Sequence, residues 1–107
     1  MIATLRGREQ FAAFASAQRF RSATLSLRVT PSLDPGYPRV GYAIGRSVGN
    51  SVVRNRLRRR MRAIFAAEEL QLDPSRAYLV VATIKTTSLT FSELKNAISE
   101  IMRMAQQ

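Results

Sequence analysis

The sequence predicts an α+β fold, a two-layer α/β sandwich in which helices cover a small mixed sheet in the order αβββαβα. Residues 25–30 alternate between apolar and polar, and residues 78–82 form a continuous apolar run, so both segments are predicted strands. Apolar residues recur at helical spacing over residues 53–64, which predicts a helix. With 107 residues, 46% of them hydrophobic, the chain is long enough for one domain and too short for two.

The first half of the chain supplies one helix and two strands before the first long turn. A short helix is predicted over residues 5–16, where Phe11 and Phe14 are three positions apart. A short strand at residues 19–22 precedes the alternating strand 25–30. We therefore expect the apolar side chains of the second strand to face a core and its polar ones to face outward.

The second half of the chain supplies the remaining strands and two helices. Residues 31–38 contain Pro-Gly and predict a turn, so the strand at 39–45 is expected to pair antiparallel with the strand at 25–30. Gly-Asn-Ser at 49–51 is a capping sequence, and the helix it begins is expected to end near Glu69. The apolar run 78–82 is typical of a strand covered on both faces.

The final helix is expected to begin at a Thr90 or Ser92 cap and to end at Met104. Its apolar residues recur at helical spacing and form a stripe, which predicts that this side of the helix packs on the sheet. The stripe consists of Phe91, Leu94, Ile98, Ile101 and Met102. Phe65, at the end of the preceding helix, is predicted to join the same core.

Charge is the outlying feature of the composition. There are 17 Lys and Arg against 7 Asp and Glu, a formal net charge of +10. Residues 1–62 carry 13 basic and 2 acidic residues, whereas residues 63–107 carry 4 and 5. A basic half joined to a nearly neutral half predicts a polyanionic partner.

The missing residue types exclude several classes of site. Without Cys there is no disulfide, thiolate metal site or thiol nucleophile, and without His the commonest general base and zinc ligand is absent. Apolar runs are far shorter than the roughly 18 residues of a membrane-spanning helix. We therefore expect a cytoplasmic protein with no membrane partner.

The segment 53–62 is the most informative part of the sequence. At about 100° per residue, Val53, Leu57, Met61 and Ile64 fall within about 80° of arc and form one apolar stripe. A second set of side chains makes the polar face almost entirely guanidinium. In this set Arg54, Arg58 and Arg62 form a row beside the stripe, Asn55 and Arg59 form another row, and Arg56 lies farther round.

Repulsion within this arginine cluster would destabilise an isolated helix. Six arginines occur in nine residues, and each like-charged pair one turn apart costs a few tenths of a kcal/mol. Phosphates would neutralise them, so the cluster favours a nucleic acid or another polyanion over a solvated helix face. A calmodulin-target or membrane-surface helix is a weaker alternative, since the apolar stripe is needed for the core. Charge alone does not distinguish single-stranded RNA, duplex RNA and DNA.

The segment from Arg39 to Phe65 resembles the signature of the bacterial ribonuclease P protein component. It has the family's Gly-containing strand, a basic turn with Gly-Asn, and an Arg-Asn-Arg helix that ends in an aromatic residue. The resemblance extends to the segment around Phe11, to Tyr-Leu-Val-Val-Ala at 78–82 and to Leu-Thr-Phe-Ser-Glu-Leu at 89–94. It therefore covers essentially the whole chain, as a single ribonuclease P protein domain over residues 1–107.

The resemblance implies both a fold and a function. The family's sandwich contains a left-handed β-α-β crossover, an exception to the usual right-handed rule. Its members are subunits of a ribonucleoprotein endoribonuclease, a heterodimer of one RNA and one protein, that removes the 5′ leader from precursor tRNA. The RNA subunit carries out catalysis with Mg²⁺, which it mainly holds, and the protein assists substrate binding and metal affinity. No protein catalytic residue and no protein-bound metal site is therefore expected.

The resemblance also implies two sets of RNA-binding residues. The first set lines a cleft for the single-stranded leader and consists of Phe11, Phe14, Arg28, Arg54, Arg58 and Arg62. The second set contacts the catalytic RNA and consists of Arg46, Asn55, Arg56 and Arg59.

The sequence departs from the family pattern at four places. Ala15 stands where a second aromatic is frequent, which is why the neighbouring Phe14 joins the cleft set. Arg28 replaces a cleft aromatic, and Ser47 replaces a second basic residue. Arg60 occupies a usually apolar position, where its long side chain is expected to snorkel.

Two other functions remain open at this point. A non-catalytic ribosomal or RNA-assembly protein on a similar sandwich would carry the same charge. Glu68, Glu69 and Asp73 are close in sequence and raise the hypothesis of a two-metal nuclease, but they follow the basic helix and lack supporting carboxylates elsewhere.

Overall fold

The structure is a computed structural model that describes residues 3–4, 13–32, 38–67 and 72–106. Five strands of the described residues form one mixed sheet. They are β1 (Ala3–Thr4), β2 (Gln18–Arg21), β3 (Leu25–Pro31), β4 (Arg39–Ala43) and β5 (Arg76–Ala82). Two α-helices, α1 (Ser51–Ala67) and α2 (Phe91–Ala105), complete the predicted α+β architecture.

The apolar strand β5 lies at the centre of the sheet, whose order is β1-β4-β5-β3-β2. It pairs antiparallel with β3 and parallel with β4, and α1 connects the two parallel strands. The predicted antiparallel pairing of β3 with β4 is therefore wrong. Side chains on both faces of β5 are buried. A strand of this kind belongs in the interior of a sheet, where each of its edges pairs with a neighbouring strand, so β5 lies between β3 and β4.

Both helices begin at side-chain caps close to the predicted positions. The Val53 amide donates to Oδ1 of Asn50 at 3.0 Å, which satisfies one of the free amides in the first turn of α1. At α2, Thr90 rather than Ser92 is the cap. Its Oγ1 accepts from the Glu93 amide, while the Glu93 carboxylate accepts from the Thr90 amide, a reciprocal capping box.

The main core lies between the two helices and one face of the sheet. Leu25, Leu27 and Val29 of β3 face this core, as their alternation predicts. The final helix contributes four residues of its predicted stripe, but the fifth, Phe91, remains 45% exposed. The four buried residues are Leu94, Ile98, Ile101 and Met102. The prediction that Phe91 is a core residue is wrong because it is the first residue of α2, and burial of this helix begins at Leu94.

A smaller apolar cluster covers part of the opposite face of the sheet, which we call the open face. Here Phe14 packs with Ala77 and Leu79 of β5. The ring comes from a 3-10 turn at Ala13–Ser16 that contacts β3. Residues 5–12, which carry most of the predicted first helix, lie outside the described residues.

Gly49 precedes the α1 cap at a position with no room for a side chain. A Cβ there would lie 2.9 Å from Cγ1 of Val53 and 3.0 Å from its Cβ. Valine has little rotamer freedom in a helix, so it cannot easily move away. We expect Gly49→Ala to destabilise the protein by about 1–3 kcal/mol in urea unfolding, the usual cost of overpacking.

Gly45 supplies the matched control for this substitution. A Cβ at Gly45 would meet nothing within 4 Å. Gly45→Ala should therefore leave the unfolding free energy within about 0.5 kcal/mol of the parent value. Equal losses for both variants would show that the contact with Val53 is not the cause.

Candidate nucleic-acid interface

Packing of the apolar stripe fixes which sides of α1 face outward. Leu57, Met61, Ile64 and Phe65 are buried in the main core, and Val53 is half-buried at the start of the stripe. This confirms the predicted stripe. Every arginine of the helix therefore lies either on one of its two flanks or on its outer surface.

One flank lies on the side of β4 and carries the row Arg54, Arg58 and Arg62. The Tyr42 ring of β4 packs edge-on against Phe65, with ring centroids 6.0 Å apart. Burial raises the pKa of Tyr42 to about 12, while the nearby Arg62 charge acts in the opposite direction and lowers it. Arg62 is therefore close enough to Tyr42 for its charge to act on the phenol, and its own side chain is exposed.

The three arginines of this row differ in their exposure and in their hydrogen bonds. Arg54 is half-buried, and its Nε is buried with no hydrogen-bond acceptor among the described residues. Arg58 is also half-buried and donates from Nη1 to Oδ1 of Asn55 at 3.0 Å. The two predicted RNA-binding sets therefore meet at this bond, since Asn55 was assigned to the catalytic RNA and Arg58 to the leader.

The other flank of α1 carries Arg56 and Arg60 and faces the 3-10 segment Ile84–Ser88. Arg56 is exposed, whereas Arg60 is half-buried at the edge of the stripe. Arg59 points outward between the two flanks and is exposed. The half-burial of Arg60 agrees with the prediction that it covers apolar surface with its stem and keeps its charge outside.

Arg46 extends the basic surface beyond the helix. It is exposed in a 3-10 turn, Arg46–Val48, that ends just before the α1 cap. The free amides and positive dipole end of α1 lie beside it, and both favour negative charge. Ser47, which replaces a basic residue of the family pattern, is exposed in the same turn.

A second basic surface lies on the open face of the sheet. Arg19 of β2 is directly opposite Arg28 of β3 in the antiparallel register, and Arg21 follows two residues later on the same face. Like charges placed directly opposite each other are destabilising unless something neutralises them. Arg28 was predicted from the sequence as an RNA-binding residue, whereas Arg19 and Arg21 were not, although alternation along β2 places both on one face.

The predicted leader cleft is thus divided between two surfaces. Arg28 lies on the open face, whereas Arg54, Arg58 and Arg62 lie on a helix that packs on the other face of the sheet. Phe14 is 2% exposed, so its ring packs against β5 and we assign it to the core instead of the cleft. Phe11 lies outside the described residues.

The comparison with protein families decides the classification. The model of the Ribonuclease P family matches residues 2–106. The chain belongs to the ribonuclease P family. This assigns it to RNA binding and tRNA processing, in agreement with the arginine-rich surface of α1.

Solved structures of ribonuclease P proteins have the same fold. The Staphylococcus aureus protein superposes with a TM-score of 0.84 at 16% identity, covering 96% of this chain and 94% of that one. The Thermotoga maritima protein superposes with a TM-score of 0.75 at 17% identity, covering 90% of this chain and 91% of that one. A comparison with curated protein sequences finds no significant match.

Over the described part of the chain, neither α1 nor α2 is long and apolar enough to cross a membrane.

Proposed function

We propose that the chain is the protein subunit of ribonuclease P. It binds the catalytic RNA subunit and the 5′ leader of precursor tRNA, and it promotes the endonucleolytic cut that gives the mature tRNA 5′ end. The RNA subunit carries out the bond chemistry, in a cytoplasmic complex of one RNA and one protein. The observation that carries the proposal is the arginine surface of α1 in a chain that belongs to the ribonuclease P family.

The geometry supports phosphate binding as the chemistry of this surface. Guanidinium groups present planar, forked donors that match phosphate oxygens, and six of them occupy nine residues of one helix. The structure describes three acidic residues: Asp73 pairs with Arg76, Glu93 caps α2, and Glu100 is exposed on α2. None of the three forms an ion pair with an arginine of α1. Phosphates of a bound RNA would therefore supply the neutralising charge.

The arginines of α1 and of the open face are proposed to serve two kinds of RNA contact, one with the leader and one with the RNA subunit. A single-stranded leader needs a sequence-tolerant basic path, and the row Arg54, Arg58 and Arg62 provides one along the β4 side of α1. Arg46, Arg56 and Arg59 face other directions and are proposed to contact the RNA subunit. Asn55, which accepts from Arg58 at the border of the row, is proposed to join them. Arg28, with Arg19 and Arg21 beside it, gives the leader a second contact on the open face.

Magnesium is proposed to be held mainly by the RNA subunit. Among the residues that the structure describes, no three acidic, His or Cys side chains come together as a metal site. No step of the reaction is assigned to a metal on the protein.

Single-turnover cleavage of precursor tRNA by a bacterial ribonuclease P RNA tests this proposal. At low Mg²⁺, adding the protein should accelerate cleavage at the mature 5′ end, because the protein strengthens substrate binding. At high Mg²⁺ the difference should shrink, since cations then screen the phosphates without help.

Three outcomes of this experiment would decide between functions. Stimulation that requires the RNA subunit supports the proposal. No stimulation at any Mg²⁺ concentration contradicts it and favours a non-catalytic RNA-assembly protein. Cleavage by the protein without the RNA subunit also contradicts it and indicates a protein nuclease.

A further inference from the structure

A pocket of about 350 Å³ lies between the N-terminal half of α1 and the 3-10 segment Ile84–Ser88. Its floor is apolar and is formed by Val48, Leu57 and Leu89. Pockets for small ligands span about 300–1,000 Å³, so this one is at the small end of that range. It has room for a single ring system and not for a helix or a strand of a partner.

Hydrogen bonds hold the outer wall of this pocket in place. Thr86 donates from Oγ1 to the Thr24 carbonyl oxygen at 2.5 Å and accepts from the Thr83 amide at 2.9 Å. The Thr83 hydroxyl donates to the same Thr24 oxygen at 3.1 Å. The segment is thus tied to the turn between β2 and β3, and a preorganised wall lowers the entropic cost of binding.

The rim of the pocket combines positive charge with exposed apolar surface. Arg56 and Arg60, one turn apart on α1, line one side, and no acidic residue is among the lining residues. On the other side Ile84 is 67% exposed. An occupant that matches both features has an apolar surface and an attached negative charge.

We propose that this pocket binds one unpaired nucleobase of an RNA partner. The base lies on the apolar floor against Ile84, and its flanking phosphate pairs with Arg56 or Arg60. Unstacked bases are the usual targets of RNA-binding proteins, and a guanidinium plane can both stack on a base and bind a phosphate. The inference rests on the proposed function, because it names a nucleotide-sized site within the surface assigned to the RNA subunit.

The test uses the full chain and two short blunt-ended RNA duplexes, one fully paired and one with a single unpaired adenine. The duplex with the unpaired base should bind about tenfold more tightly at the same salt concentration, which corresponds to about 1.4 kcal/mol. In methyl NMR spectra, the Ile84 resonances should shift with the bulged duplex and not with the paired one.

Two pairs of variants locate the effect. Ile84→Ser should reduce the affinity for the bulged duplex to that for the paired duplex. Met104→Ser, a control that removes a 39% exposed apolar side chain from α2, should keep the tenfold preference, here about 1.4 kcal/mol. Arg60→Gln and Arg59→Gln each remove one charge and weaken binding of both duplexes, but only Arg60→Gln should reduce the preference.

Several results would overturn the proposal. Equal affinities for the two duplexes would show that the protein recognises the charge of the RNA backbone and not the unpaired base. Ile84 shifts that grow with protein concentration in the absence of RNA would assign the pocket to a second copy of the chain. Equal shifts with a glutamate-rich peptide would assign it to an acidic partner. Because the duplexes contain neither ribonuclease P RNA nor tRNA, the pocket and the proposed function can fail separately.

Discussion

Replacing Arg58 and Arg62 together with alanine is expected to weaken binding of precursor tRNA by about tenfold or more, equivalent to about 1.4 kcal/mol. Mature tRNA should bind within about twofold of the parent value, a difference of about 0.4 kcal/mol or less. The reason is geometric. Both side chains lie on the β4-side flank of α1, the path proposed for the leader, and mature tRNA has no leader.

The measurement is equilibrium binding of both tRNAs to holoenzyme assembled with saturating protein, over a range of salt concentrations. Each phosphate contact to a single strand contributes about 0.7 to the slope of log affinity against log salt, so the double variant should lose about 1.4 of the slope for precursor tRNA. Arg103→Ala, an exposed arginine on α2, controls for loss of positive charge. Equal losses for precursor and mature tRNA would move these arginines to the RNA subunit or the tRNA body.

Local periodicity was sufficient to predict most elements of this fold. The stripe through Leu57 and Met61 and the apolar run of β5 each depend only on neighbours within a few residues, and both are confirmed. Pairing of β3 with β4 was predicted from their closeness along the chain. It was wrong because β5, more than 30 residues later, is apolar on both faces and lies between them.

The composition of the candidate interface was predicted better than its arrangement. Helical spacing predicted a basic surface on α1, since the core stripe alone determines which side faces outward. Helical spacing did not show that Arg28 lies on the opposite face of the sheet from α1, because the relative position of Arg28 and α1 depends on where the helices pack. The apposition of Arg19 and Arg28 requires the β2–β3 register, and a slip of one residue would reverse every side chain.

The basic surface depends on the core beneath it. Like charges one turn apart oppose helix formation, so the packing of the apolar stripe must hold α1 in place before RNA binds. The Asn50 cap and the burial of Phe65 beside Tyr42 secure the two ends of the helix. Stability depends on the apolar stripe, whereas RNA binding depends on the arginines of the flanks. A substitution in the stripe should therefore change stability without changing RNA affinity.

Met61→Ala tests that separation and should lower the free energy of unfolding by about 2–5 kcal/mol, because it opens a cavity at a fully buried side chain. Met104→Ala makes the same chemical change at a 39% exposed position of α2 and should cost clearly less than Met61→Ala. Urea unfolding followed by circular dichroism measures both. At a temperature where each variant is folded, both should bind precursor tRNA like the parent protein, since every arginine is retained. A similar loss of stability in the two variants would contradict the assignment of Met61 to the core, and a loss of RNA affinity in folded Met61→Ala would show that the stripe also sets the position of the arginines.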